Sequence, residues 1–152
     1  MENTIENIIK QAAEKLVAEM QSKVPRVTGK TAESIEAVVT PNSLTILGGK
    51  QIGAIINGRG PTKPNAPKGN PTLQQSILSW LQAASITPRE AGMSQESLSW
   101  AISKSIHKNG YKGKGDIFKD VLTENKIADI TGLVLNAKLT EAINLINKIK
   151  TD

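Results

Sequence analysis

The chain has 152 residues, a length suited to one domain spanning residues 1–152 with a real core. Hydrophobic residues make up only 38% and the aromatics are Trp80, Trp100, Tyr111 and Phe118, so the core must be built from Ile, Leu, Val and Ala. The absence of cysteine excludes disulfides and thiolate metal sites, and the net charge of +5 is unevenly spread. From Ala37 to Arg89 there is no acid but five bases, and Ser97 to Gly115 adds four lysines, leaving −4 on the remainder. Such asymmetry favours a polyanion or ordered contact between copies of the chain, and we read it as the latter.

In chain order, Glu2, Glu6, Glu14 and Glu19 interrupt the N-terminal apolar residues, which rules out a secretory leader there, and no run is long enough to span a bilayer; a soluble protein is expected. Ile5, Ile8, Ile9, Ala12, Ala13, Leu16, Val17 and Met20 recur at three and four, predicting an amphipathic helix over residues 3–22, capped by Asn3 or Thr4 and stopped before Pro25. Ser34–Thr40 and Leu44–Leu47 are rich in β-branched residues around the turn Pro41-Asn42-Ser43, which predicts a hairpin. After Gly48-Gly49, Gln51–Ile56 reads as a third strand, giving an antiparallel meander covered by the first helix.

Residues 55–81 then form a Gly/Pro-rich basic loop running into a helix. It holds Gly58, Gly60 and Gly69, Pro61, Pro64, Pro67 and Pro71, with Arg59, Lys63 and Lys68 as its only charges. Leu73, Ile77, Trp80, Leu81 and Ala84 mark the helix, with Pro71 at its start and Pro88 beyond its end. Ser94 opens a third helix with Leu98, Ala101, Ile102 and Ile106 as its buried stripe, ending at Asn109-Gly110. A second Gly/Lys loop carries Lys112 and Lys114. Residues 116–122 connect, without a clear type, to a long helix from Glu124 to Lys150, or two with a break near Thr131-Gly132. Both tryptophans are expected in the core. The fold class is therefore α+β: a short antiparallel sheet packed by N-terminal and C-terminal helices, with a long basic loop.

No chemistry-bearing constellation stands out. Gly58-Arg59-Gly60 lacks the Walker and dinucleotide spacings, and four prolines remove the N–H donors that a phosphate cradle needs. Thr28-Gly29-Lys30-Thr31 resembles a Walker tail, but Val24 stands where the upstream glycine belongs and a strand is expected to follow. The lone His107 suits a helix C-terminus, and the carboxylates read as solvating charges. No catalytic residue, cofactor or metal is expected, and the chain is read as no enzyme. Non-specific DNA binding by the two basic loops is the main alternative, although Tyr111 is their only stacking aromatic.

In order, TGKTAESI (Thr28 to Ile35), a sheet ending at GRGPTK, a Pro-rich loop, the helix containing Ile77, Trp80 and Leu81, and LSWAISKSIHKNGYKGKGDIF (Leu98 to Phe118) resemble one known group. It is the small neck and tail-completion proteins of tailed bacteriophages, the HK97 gp10-like group, in the version common among phages of Bacteroides-type hosts, including crAss-like phages. The counterparts of that group's motifs are Thr28, Gly29, Ser34 and Ile35, then Gly58, Arg59, Pro61, Lys63, Pro64 and Pro67. Thr31 stands where an aliphatic is commoner, and Asn65 and Ala66 split the paired prolines. The resemblance implies a virion structural protein of the head–tail junction, located in the neck or tail after assembly in the host cytoplasm. It would form a homo-oligomeric ring contacting portal, neck or tail proteins. Its loops, through Arg59, Pro61, Lys63, Lys68, Lys112 and Lys114, would reach neighbouring subunits, and DNA in the lumen would be touched without being read.

Overall fold

The structure, a computed structural model, describes residues 4–150. It is an α+β fold of six helices and two small antiparallel sheets. The chain forms two compact units: one from residues 1–24, 32–49 and 117–152, the other from residues 25–31 and 50–116.

In the first unit, helix α1 (Thr4–Lys23) buries Ile5, Ile9, Ala13, Leu16 and Met20, the face that the three-four spacing predicts. Strands β1 (Glu36–Thr40) and β2 (Ser43–Leu47) pair in the predicted hairpin, with Ala37 opposite Ile46 and Val39 opposite Leu44. Those four side chains are half-buried while their neighbours are exposed, and α1 packs on the hairpin as expected. Helix α2 (Lys30–Glu33) is a single turn that buries Ala32. A helical turn thus starts at Lys30, directly after Gly29, where a strand was expected to follow; the missing upstream glycine still excludes a Walker loop.

Residues 117–122 make tight turns in which the N–H groups of Val121 and Leu122 both donate to the Phe118 carbonyl, at 2.9 and 3.0 Å. The turns bury Phe118 and Val121. Helix α6 (Glu124–Ile149) starts at an N-cap where Thr123 accepts from the Lys126 N–H. It runs unbroken through Gly132. The Thr131 hydroxyl donates back to the Ile127 carbonyl at 2.8 Å, so its side chain is satisfied within the helix. α6 packs on α1, and Lys126 forms an ion pair with Glu19.

The second unit corrects the meander. Gln51–Ile56 is not a third strand but lies in helix α3 (Lys50–Asn57). Ile52, Ile55 and Ile56 fall at helical spacing, and the β-branched content that suggests a strand is overridden by that one-sided pattern. What the sheet loses there it regains after α3. Gly58 and Arg59 form β3 (Gly58–Arg59), which pairs antiparallel with β4 (Tyr111–Lys112), so the two basic loops meet at their bases. The sheets are thus two separate pairs, β1–β2 and β3–β4.

Helices α4 (Leu73–Ala83) and α5 (Gln95–Asn109) pack as a pair. Thr72 caps α4 in a reciprocal box with Gln75, and Ser94 caps α5. α5 stops at Gly110, whose φ of +68° favours glycine. From α4 the pair buries Ile77 and Leu81, as expected. From α5 the most buried residues are Ser99 and Ser103, while Ala101 is exposed. The two serines donate to their own helix, to the Glu96 and Trp100 carbonyls at 2.7 and 2.9 Å, so they carry no unpaired hydroxyl into the contact. Both tryptophans face outward: Trp80 is 43% and Trp100 55% exposed, contrary to the expected core positions.

Candidate functional site

The second unit holds a groove built on a close crossing of backbone. A Cβ at Gly58 (φ +77°) would fall on the Tyr111 carbonyl oxygen, one at Gly110 on the Arg59 carbonyl oxygen, and one at Gly113 on the Ile56 carbonyl oxygen. Only glycine lets the two chain segments lie this near. The Lys114 and Gly115 N–H groups donate to the Ile55 and Ile56 carbonyls at 2.8 and 3.0 Å, satisfying acceptors that the end of α3 leaves free. The second Gly/Lys loop is thereby fixed to the start of the Pro-rich one.

Beyond β3 the Pro-rich loop is pinned again, this time to α5. The Thr62 N–H donates to the His107 carbonyl at 2.9 Å. Arg59 Nη2 donates to Thr62 Oγ1 at 2.9 Å, and Thr62 Oγ1 lies 2.6 Å from His107 Nδ1. Because a guanidinium only donates, the Thr62 hydroxyl accepts from Arg59, and the same oxygen links Arg59 to His107. A further turn closes with the Ala66 N–H on the Lys63 carbonyl. The loop is therefore anchored to α5 at Thr62 and carries a local turn beyond it.

Between this loop and helices α4 and α5 lies an open groove of about 780 Å³. Its ionisable lining is Arg59, Lys68, Lys104 and His107, and none of the residues lining it is acidic. Thr72 and Leu73, the N-cap and first residue of α4, line it too, adding the positive end of a helix dipole. Trp100 forms part of the wall, with Lys104 Nζ 4.7 Å from its ring centroid. An exposed indole beside three permanent cations gives the groove both an electrostatic and an apolar element of recognition.

The structure places the sequence-derived candidates unequally. Arg59 and Lys68 line the groove. Pro61 and Lys63 lie exposed in the loop outside its lining, Lys112 sits in β4 opposite Gly58, and Lys114 follows it, exposed, with its N–H on α3. Thr62, Trp100, Lys104 and His107 were not among them. Trp100, Lys104 and His107 are spaced by four and three along α5, a helical stripe legible in the sequence, whereas Thr62 carries no such signal.

The charge separation follows the two units. The second carries eleven Lys and Arg against three Asp and Glu, or +8; the first carries eight against eleven, or −3. Among the described residues no three His, Asp or Glu side chains cluster as metal ligands, and no helix is long and apolar enough to cross a membrane. Comparison with protein-family models, curated proteins and solved structures finds no match.

Proposed function

We propose that the chain is a virion structural protein of the head–tail junction, assembling as a homo-oligomeric ring through protein–protein contacts. The carrying observation is the groove with Arg59, Lys68, Lys104 and His107 and no acid in its lining, built on a loop that backbone pairing holds in place. Such a groove suits an acidic segment of a neighbouring subunit. A pre-ordered loop loses little entropy on docking, and the opposite net charges of the two units supply the complementarity that head-to-tail contact requires. The resemblance of the segment order to phage neck proteins supports the location. Portal and adjacent neck or tail proteins are the further partners, and DNA in the lumen would be touched without sequence readout.

The test is sedimentation and negative-stain imaging of the purified chain, alone and with its portal protein, beside the Lys68→Glu/Lys104→Glu variant. Both side chains are exposed, so the variant should keep its circular dichroism while losing ring assembly and portal binding. If the wild-type chain forms no ring and instead binds duplex DNA with an affinity that falls steeply with salt, the alternative of a non-specific DNA-binding protein takes its place.

A further inference from the structure

Helix α6 has two faces of different character. Ile130, Val134 and Ala137 are half-buried on the side packed against α1. The same face continues as Glu141, Asn144 and Lys148, so the packed stripe ends at Ala137. On the opposite face Gly132, Leu135, Leu139, Ala142, Ile146 and Ile149 follow at alternating steps of three and four. The large members of that row are open to solvent: Leu135 61%, Leu139 60%, Ile146 52% and Ile149 75% exposed. A row this regular has the 3.5-residue period of a coiled-coil seam, and it extends about 26 Å at 1.5 Å per residue.

We infer that this row is a self-association seam, and that its occupant is α6 of a second copy lying antiparallel. The pattern of side-chain sizes selects that partner and that direction. In a parallel pair Gly132 would meet Gly132 and Ala142 would meet Ala142, leaving two hollow layers among bulky ones. In the antiparallel pair Gly132 meets Ile149, Leu135 meets Ile146 and Leu139 meets Ala142 of the second copy, and the two-fold axis repeats the set. Large faces small in the outer and inner layers, so no layer is left hollow between the Leu135–Ile146 layers. Charge agrees with size. This register puts Asp129 beside Lys150 of the second copy, twice, and it opposes the two helix dipoles. Asp129 and Lys150 are both exposed.

The inference does not rest on the ring reading, because the seam lies in the first unit and the basic groove in the second. The chain should sediment as a dimer that dissociates on dilution between about 100 μM and 1 μM, the range of a micromolar association. Leu135→Glu/Leu139→Glu should be monomeric throughout with unchanged helicity, since both side chains are already exposed, while Lys68→Glu/Lys104→Glu should dimerise as the wild type does. The chain has no cysteine, so direction can be read by single-cysteine cross-linking. A mixture of Leu135→Cys and Ile146→Cys should form the mixed disulfide dimer on oxidation, and neither variant alone should cross-link. A wild-type monomer at ~100 μM, a glutamate variant that still dimerises, or Leu135→Cys linking to itself would each overturn the proposal.

Discussion

Gly58→Ala tests whether the basic groove depends on the backbone crossing beneath it. The native φ of +77° costs a residue with a Cβ about 1–2 kcal/mol. The new methyl would also fall on the Tyr111 carbonyl oxygen and lie 2.9 Å from the Lys112 carbonyl carbon. Those atoms are backbone and cannot rotate aside, so β3 and β4 must separate. Separation takes with it the Lys114 and Gly115 bonds to the end of α3, each worth about 1 kcal/mol net. The expected loss is therefore about 3–4 kcal/mol, a large share of the stability of a small domain. Both tryptophans lie in the second unit, so urea unfolding followed by tryptophan fluorescence reports on that unit. The midpoint should fall with little change in slope. Gly115→Ala is the control: its φ is +81°, but nothing lies within 4 Å of the added methyl, so only the backbone cost applies. Equal losses for the two variants would refute the argument that the crossing needs its glycines.

Gly53→Ala should stabilise the second unit by about 0.5–1 kcal/mol in the same fluorescence assay, because residue 53 is inside α3 with open space around its Cα. Thr72→Ala removes the hydroxyl half of the α4 capping box and should cost about 1 kcal/mol there. Val121→Ala opens a cavity at a residue 1% exposed in the first unit, with an expected loss of roughly 2 kcal/mol in urea unfolding followed by helical circular dichroism.

Where one segment carried its own pattern, the sequence was a sufficient guide. The α1 face, the β1–β2 hairpin and the stop at Gly110 follow from periodicity and turn chemistry over a few residues. Gln51–Ile56 misled because β-branched residues also sat at helical spacing, and contacts from residues 114 and 115, far along the chain, favour the helix end. Trp100 misled because two serines, not the larger neighbours, took the buried face of α5. With Ser99 and Ser103 the most buried residues of α5, Trp100, Lys104 and His107 are left exposed and line the groove together with Ser103. The groove itself joins Thr62 to His107 across 45 residues, a pairing that no local pattern announces.

The groove and the α6 seam should respond oppositely to salt, which separates them in one titration. Contacts to the exposed Lys68 and Lys104 and the half-buried Arg59 are electrostatic, and screening shortens their reach from about 10 Å at 0.1 M salt to about 3 Å at 1 M. Burial of Leu135, Leu139, Ile146 and Ile149 has no such dependence and is strengthened by excluded salts such as sulfate. Only the two Asp129–Lys150 contacts of the seam are screened, and exposed pairs of that kind are worth about 0–1 kcal/mol each. Raising the salt should therefore dissolve assemblies made through the groove down to the α6 dimer and no further. Sedimentation in sodium sulfate reads this directly: a population that stops at twice the chain mass fits an apolar seam. A population that passes through to monomer would show that charge, not the leucine and isoleucine row, holds the copies together.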